Sequence, residues 1–189
     1  MSKKDQILVF PKEGIPTLVS NDWHIWYGEQ KGGTWTNPEW GAQKTLVPFS
    51  WWCIHSDSHP EDTELMSRAQ QGQIGVWFAA DDDVLQHADM IQVSKSLWSV
   101  VAVHFPIFRD GRSFSTAALL RDRFTWHGEI RAIGDVLIDQ LLQGARVGLD
   151  AFDLRSDQDI ETALRQFDLF SVTTQNSWRS KRTLLASYA

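Results

Sequence analysis

Cysteine is almost absent from this chain, since Cys53 is the single one among 189 residues. One cysteine excludes an intrachain disulfide and a Cys-x-x-Cys redox pair, because both need two thiols. It also excludes an iron–sulfur cluster held by the cysteines of one chain. Cys53 follows Trp51 and Trp52, and we interpret it as a small buried apolar residue rather than as a catalytic thiol.

Long hydrophobic runs are absent as well. The longest apolar stretch, residues 100–108, is interrupted by His104 and Pro106 and is too short to span a bilayer. The apolar run at residues 7–10 is shorter than the hydrophobic region of a secretion signal. We therefore expect a cytoplasmic protein that does not enter a membrane.

The chain has fewer positively charged than negatively charged residues. Lys and Arg number 18 against 24 Asp and Glu, which gives a formal net charge of -6 and a pI near 5.4. We expect no nucleic-acid binding, because an acidic chain suits a phosphate backbone poorly. The sequence also has no G-x-G-x-x-G after a predicted strand and no phosphate-binding loop that ends in Gly-Lys-Ser/Thr. The cofactor, if there is one, is therefore unknown at this point.

Tryptophan is abundant, and six of the ten tryptophans lie within the first 52 residues. Glycines and prolines between them predict short strands and loops over residues 1–59. We favour a tryptophan-rich extension that packs on an apolar sheet face, because tryptophan buries much area per residue. An aromatic wall of a ligand pocket is the alternative.

A regular alternation of strands and helices begins near residue 60. The segments IGVWFA, LWSVVAVHF, EIRAI, DAFDL and LFSVT predict five strands. Helical spacing predicts helices that begin at Pro60 and cover residues 115–123 and 136–146, and Ser156 is the expected cap of a later one. This order predicts an α/β domain over residues 60–175 with a mostly parallel sheet.

Two arrangements of that sheet remain open at this point. Five strands suit an open three-layer sheet, whereas a complete eight-stranded barrel needs about 250 residues, so only an incomplete barrel would fit. Residues 176–189 form a basic tail with Arg179, Lys181 and Arg182. We expect this tail to be an exposed arm that could take part in forming a homo-oligomer.

The segment FPIFRDGRSFS, residues 105–115, is the first place where we expect a functional site. Parallel sheets carry their sites in the loops after the carboxyl ends of strands. A helix that begins here, beside two guanidinium groups, would suit a small anionic ligand. The polar residues are Arg109, Asp110, Arg112, Ser113 and Ser115, with either serine as the expected helix cap. In the alternative, Asp110 merely ties Arg112 to the loop.

Charged residues in the third predicted strand extend this cluster. Glu129 and Arg131 share one face of a strand that should be buried, so they need partners. We predict one polar cluster, in which the catalytic acid–base candidates are Asp110, Glu129 and Asp135. The ligand-binding candidates are Arg109, Arg112, Ser113, Ser115, Arg131, Asp139 and Gln140. A structural network of ion pairs would explain the same residues.

Two further patterns are weaker evidence for a functional site. His55, Asp57, His59 and Glu61 alternate before a helix as metal ligands can, but no further cluster accompanies them, so we expect no metal site. Ser115, His104 and Asp110 are the residue types of a Ser-His-Asp triad, but no G-x-S-x-G turn surrounds the serine, so we do not favour one.

Five blocks, GVWF, FPIFRDGR, LLRDRF, GEIRAIGDVLIDQ and RVGLDAF, resemble in order and spacing a bacterial domain family of unknown function. This family is linked to sulfite reduction as a probable oxidoreductase, and the likeness runs from residue 72 to residue 175. The chain departs from it at Val147, where relatives often have cysteine, and at Thr174, where an aromatic residue is common. The matching positions are Phe105, Pro106, Asp110, Gly111, Arg112, Arg121, Gly128, Glu129, Arg131, Gly134, Asp135, Asp139 and Gln140.

The resemblance implies a setting in assimilatory sulfur metabolism without supplying a mechanism. We expect an accessory protein of sulfite reduction with an anion-binding polar site, whose partner is sulfite reductase or another sulfur-assimilation protein. The alternatives are an oxidoreductase with an unidentified cofactor and a scaffold without catalysis. The chain cannot itself be the siroheme-bearing reductase, which needs several cysteines.

Overall fold

The computed structural model describes residues 6–28, 30–31, 34–58, 63–170 and 175–179. The strands in this part are β1 (Gln6–Val9), β2 (Thr17–Ser20), β3 (Trp23–Ile25), β4 (Gln30–Lys31), β5 (Thr34–Trp35), β6 (Lys44–Pro48), β7 (Ile74–Phe78), β8 (Val100–Phe105), β9 (Glu129–Val136) and β10 (Ala151–Leu154). The helices are α1 (Phe49–Ser58), α2 (Thr63–Gln70), α3 (Ala88–Ser94), α4 (Arg112–Asp122), α5 (Leu141–Val147) and α6 (Ile160–Arg165). None of these helices is long and apolar enough to cross a membrane.

Eight strands form one sheet in the order β2-β1-β10-β9-β8-β7-β6-β3. All neighbours from β3 to β10 are parallel, whereas β1 is antiparallel to both β10 and β2. The α/β class and the mostly parallel sheet are therefore confirmed. Because β6 to β10 lie side by side in chain order, right-handed connections place the intervening helices on one face.

The two faces of the sheet carry different apolar clusters. On one face, strand residues such as Phe78 and Val103 pack with helix residues such as Leu65 and Leu120. The other face has a cluster built from strand residues alone, namely Trp23, Leu46, Trp77, Val100, Ala102 and Ile133. A sheet covered by helices on one face agrees with the incomplete barrel and differs from the three-layer alternative.

Only two residues join the opposite edges of this sheet. β2 lies at one edge and ends at Ser20, and β3 lies at the other edge and begins at Trp23. Three Cα–Cα steps span at most about 11 Å, so the sheet must curl until these ends of β2 and β3 lie side by side, although the two strands are not paired by hydrogen bonds. Arg131 of the central strand β9 reaches across the inside, and its Nη1 donates to Oδ1 of Asn21 over 2.9 Å.

The strand register shows the stagger that a barrel needs. Starting at Thr17, the paired residues around the sheet are Val9, Ala151, Arg131, Ala102, Trp77 and Pro48. Leu46 pairs with Ile25, so Pro48 lies level with position 27 of the starting segment. Following the paired residues once around the sheet thus leads from residue 17 to residue 27 of the same segment. A displacement of this kind along the chain is typical of strands that are tilted around a barrel axis.

The tryptophan-rich region is part of this barrel. It supplies β1 and β2 at one edge and β3 and β6 at the other. Trp51 and Trp52, which we expected among strands and loops, lie fully buried in helix α1. Their indole nitrogens donate to Thr36 O over 3.1 Å and to Ser94 Oγ over 3.0 Å, which satisfies both buried polar groups.

Two of the predicted helix starts that are wrong lie after β9. The helix expected over residues 136–146 begins only at Leu141, because β9 continues through Val136 and a 3-10 turn follows it. Helix α6 is capped by Asp159 rather than by Ser156, since the Asp159 carboxylate accepts from the Thr162 amide over 2.8 Å.

The C-terminal predictions are tested only in part. Leu169 and Phe170 are exposed and not in a strand, and the rest of the strand predicted over residues 169–173 lies outside the described residues. Arg179 is not on an exposed arm, because it donates to the carbonyls of Ala145 and Leu149 over 3.1 and 2.8 Å. Its predicted companions in the tail, Lys181 and Arg182, lie outside the described residues.

Strand β9 is irregular near its carboxyl end. Phe152 pairs with Ala132 but Leu154 pairs with Val136, so β9 has two more residues in this interval than β10. Gly134 lies in the irregular stretch with φ of 96°. A Cβ atom there would collide with the carbonyl oxygen of Phe105 and lie 2.9 Å from Nε2 of His104. Only glycine therefore fits this position.

We predict that Gly134→Ala lowers the free energy of unfolding by about 1–3 kcal/mol, because the positive φ and the close backbone both oppose a side chain. Gly41→Ala is the control, since a Cβ atom on Gly41 would have no neighbour within 4 Å. Urea denaturation of both variants checks this. Equal stability of the two variants would show that Gly134 is not constrained in this way.

Candidate functional site

Four side chains meet at the carboxyl end of the barrel, where barrel proteins build their sites. They are Tyr27, which follows β3, Trp77 of β7, His104 of β8 and Asp153 of β10. We call these four residues the mouth. Side chains alternate between the two faces of a strand, and these four lie at inner positions of the barrel.

Three aromatic rings form one wall of the mouth. The ring of Tyr27 lies 5.8 Å from that of Trp77 and 5.8 Å from that of His104, measured between centroids. Trp77 and His104 are 5.4 Å apart and meet edge to face. The Trp77 indole donates to the Trp26 carbonyl over 3.0 Å, which holds its ring in place. Tyr27 is 53% exposed, so solvent reaches this wall from its side.

His104 is a half-buried imidazole with no hydrogen-bond partner among the described residues. Burial lowers the pKa of His104, so its ring is neutral at pH 7. Its backbone is fixed from behind, because Ser113 Oγ donates to the His104 carbonyl over 2.6 Å. Its Nε2 lies over Gly134, on the side of β9. The ring nitrogens can therefore exchange a proton or a hydrogen bond with a ligand.

Asp153 is the second polar group of the mouth without a hydrogen bond to any described residue. Burial raises the pKa of its carboxyl, and the positive charge of Arg131 opposes this effect. Burial also raises the pKa of Tyr27, and the charge of Asp153 adds to that. Since β9 separates β8 from β10, the backbones that carry His104 and Asp153 are two strand spacings apart, roughly 10 Å.

Arg131 lies deeper in the barrel and is only 5% exposed. Its guanidinium donates to the Glu129 carboxylate and to Asn21, and it lies 5.8 Å from the Trp23 ring centroid. Glu129 and Arg131 therefore pair with each other inside the barrel. This arrangement satisfies a buried charge that would otherwise be unfavourable.

The Asp135 carboxylate connects two loops at the carboxyl edge. Its Oδ2 accepts from the Phe108 amide over 2.8 Å, and its Oδ1 accepts from Arg155 Nη1 over 2.8 Å. Gln140 holds the same loop, because its Nε2 donates to the Phe108 carbonyl over 3.0 Å and its Oε1 accepts from the Leu137 amide over 2.9 Å. Both residues therefore anchor the loop between β8 and α4.

At the start of α4, the Asp110 carboxylate binds the groups that we expected to bind an anionic ligand. Asp110 Oδ1 accepts from the Arg112 amide over 3.2 Å, and Asp110 Oδ2 accepts from Arg112 Nη2 over 2.7 Å. Asp110 thus occupies the place predicted for an anionic ligand. The predicted serine caps are wrong, because the cap is Gly111 and Ser113 bonds to His104 instead. The remaining candidates, Arg109, Ser115 and Asp139, are exposed.

The predicted cluster is therefore divided among three places in the fold. Asp110 and Arg112 lie at the start of α4, Asp135 and Gln140 in the loop anchor, and Glu129 and Arg131 inside the barrel. Glu129 and Asp135 are six residues apart along β9, roughly 20 Å in an extended strand.

The mouth itself was missed by sequence reasoning. His104 was noted as an interruption of an apolar run and as the histidine of a triad that we did not favour, and Asp153 as part of a predicted strand. A polar residue at an inner position of an otherwise apolar strand was the available signal. The sequence contains no such signal for Tyr27, because this residue comes close to β7 and β8 only when the sheet curls.

Two large cavities are not lined by the mouth residues His104 and Asp153. One of about 590 Å³ is lined by His24, Trp26, Tyr27 and the loop of residues 36–39, so it borders the mouth at Tyr27. The other, of about 560 Å³, lies near Arg121 and Trp178, beside the amino ends of β9 and β10. We place the site at the mouth because polar groups there lack partners and because the amino end of a barrel typically serves stability.

Metal binding has no support within the described residues, where no group of three or more His, Cys, Asp or Glu is placed to hold an ion. His55 instead stacks on Trp51 at a ring centroid distance of 4.1 Å. The other proposed ligands, His59 and Glu61, lie outside the described residues, as does the Asp57 side chain.

A family model described as a bacterial protein of unknown function, DUF934, matches residues 75–185, more than half of the chain. The protein belongs to this family. No curated protein and no solved structure matches the chain. The DUF934 region includes Trp77, His104, Gly134 and Asp153, whereas Tyr27 lies before it.

Arg121 is one of the positions at which the chain matches the DUF934 family, and it is buried at the amino end of the barrel. Arg121 is 4% exposed and donates to the carbonyls of Trp126, Gly128 and Gly148 over 2.6, 2.8 and 2.8 Å. It also pairs with Asp150. These contacts hold the turns before β9 and β10, so we interpret Arg121 as structural.

We predict that His104 makes the protein less stable as the pH falls. The pKa of His104 in the folded protein lies below its ordinary value of 6.5, so the unfolded chain binds this proton first. The free energy of unfolding is therefore unaffected well above 6.5 and declines as the pH falls toward the folded-state pKa. Urea denaturation at pH 7 and pH 5 should show a smaller decline in His104→Gln.

The exposed His127 provides the control for this experiment. His127→Gln should keep the pH dependence of the unmodified protein. If His104→Gln also keeps it, the imidazole of His104 is not desolvated and the prediction is wrong.

Proposed function

We propose that this protein binds a small polar ligand at the mouth of its barrel and acts on it in assimilatory sulfite reduction. The observation that carries the proposal is the pair His104 and Asp153. Both face the mouth, both are about half buried or more, and neither has a hydrogen-bond partner among the described residues. Polar groups that line an opening and have no protein partner are available to a ligand.

The chemistry of the pair supports an enzyme. A neutral imidazole can take a proton from a ligand at His104 and return it, and the Asp153 carboxylate can hydrogen-bond the same ligand. Their backbones are roughly 10 Å apart across β9, so one small molecule at the mouth can contact both side chains. If the reaction is a reduction, an electron carrier would bind as a second substrate and His104 would supply protons.

The sulfite-reduction setting comes from the family resemblance of the blocks around FPIFRDGR and GEIRAIGDVLIDQ. It implies an oxidoreductase or an accessory protein that works with sulfite reductase or another sulfur-assimilation protein. One observation favours the accessory alternative. Ile107 and Phe108 are 45% and 39% exposed in the loop between β8 and α4, although Asp135 and Gln140 hold this loop in place. Exposed apolar side chains on an anchored loop suit contact with another protein.

Complementation of a deletion strain, grown with sulfite as the sole sulfur source, tests the proposal. We expect His104→Gln and Asp153→Asn to abolish growth while the purified variants still unfold cooperatively. Asp157→Asn is the matched control, because this exposed carboxylate lies at the same barrel end but pairs with Arg155. Sulfide, the product of sulfite reduction, should restore growth of the defective strains.

A further variant separates the two alternatives. Phe108→Ser should leave growth intact if the protein acts as an enzyme at the mouth, and should abolish growth if the exposed loop binds a partner. Normal growth of both His104→Gln and Asp153→Asn would contradict a ligand site at the mouth. Growth defects that sulfide does not relieve would contradict the role in sulfite reduction.

A further inference from the structure

Most charged groups inside the barrel have a partner of their own. Arg131 is bound to Glu129 and to the amide oxygen of Asn21. Lys44, at the amino end of β6, donates to Asp22 over 2.7 Å. Asp153 feels the charge of Arg131 but makes no ion pair with it. Among the described residues, the mouth therefore contains one carboxyl group without a cation of its own.

The aromatic wall adds a second feature that selects a ligand. Aromatic faces attract cations through their negative electrostatic potential, most strongly where water is partly excluded. The Tyr27 ring is 53% exposed and belongs to the same wall as Trp77 and His104. Asp153 is close enough for its charge to act on the Tyr27 hydroxyl. A cation beside the Tyr27 hydroxyl is therefore within the electrostatic reach of Asp153 as well.

We infer that the ligand of the mouth carries a compact positive charge, such as a protonated or quaternary amine. The cation would lie against the aromatic wall and supply the counter-charge that Asp153 lacks. This inference rests on the proposed ligand site and adds the chemical class of the ligand.

The same charges disfavour an anion in the mouth. An anion beside Tyr27 would meet the Asp153 carboxylate, and like charges at short range repel in a partly buried site. Two of the three guanidinium groups of the surrounding loops are already engaged, and the third, that of Arg109, is exposed. Arg112 is bound to Asp110, and Arg155 is bound to Asp135 and Asp157. The small anion predicted from the sequence therefore finds little support at this place.

Titration of the full chain with tetramethylammonium chloride tests the inference. The indole N–H resonance of Trp77, assigned with Trp77→Phe, reports binding by nuclear magnetic resonance. We expect a saturable shift that sodium chloride at equal ionic strength and uncharged tert-butyl alcohol do not produce. Asp153→Asn should weaken binding by about tenfold or more, because the charge is lost while the shape is kept. Asp157→Asn should bind as the unmodified protein does.

Sodium sulfite is the second probe, and it separates the inference from the proposed site. A saturable Trp77 shift with sulfite but not with tetramethylammonium would overturn the cationic class and leave the ligand site standing. The absence of any saturable shift with both probes would count against the cationic class and against the site. Equal tetramethylammonium binding by Asp153→Asn and the unmodified protein would overturn the role of this carboxylate. Tyr27→Ala provides an independent variant, and it too should weaken the binding of tetramethylammonium.

Discussion

The structure depends on a short link, Asn21 and Asp22, which joins the two edges of the eight-stranded sheet. So short a connection forces the sheet to curl, and the curl turns one of its faces into an interior. Trp23 then joins the inner apolar cluster, and Asn21 meets Arg131 of the central strand. Closure also brings Tyr27 beside Trp77 and His104, so the mouth exists only because the edges meet.

Much of the fold was predictable because β7 to β10 are apolar segments between helical patterns. The closure was not, because it depends on β2 and β3, which have four and three residues and no strong apolar pattern. The extension of β9 beyond Ile133 was hidden by Gly134 and Asp135. These residues look like loop or site residues until their partners are known.

The candidate site shows a similar limit. Charged residues two positions apart attracted attention in the sequence, but Asp110 with Arg112 and Glu129 with Arg131 satisfy each other. Arg155 and Asp157 form a third pair with this spacing. Local pairing makes such residues structural anchors. His104 and Asp153 belong to strands whose other residues are apolar, and only the three-dimensional arrangement shows that they face one opening without partners.

The central claim is that the barrel closes through residues 17–25 and so creates the mouth. The most direct measurement is a map of nuclear Overhauser contacts from this segment. The account predicts contacts from Val19 to Ile7 and from Ile25 to Leu46 in the same molecule, together with contacts between Asn21 and Arg131. Contacts to only one edge of the sheet would mean that the barrel is open. In that case Tyr27 would not reach His104, and the site proposed here would not exist.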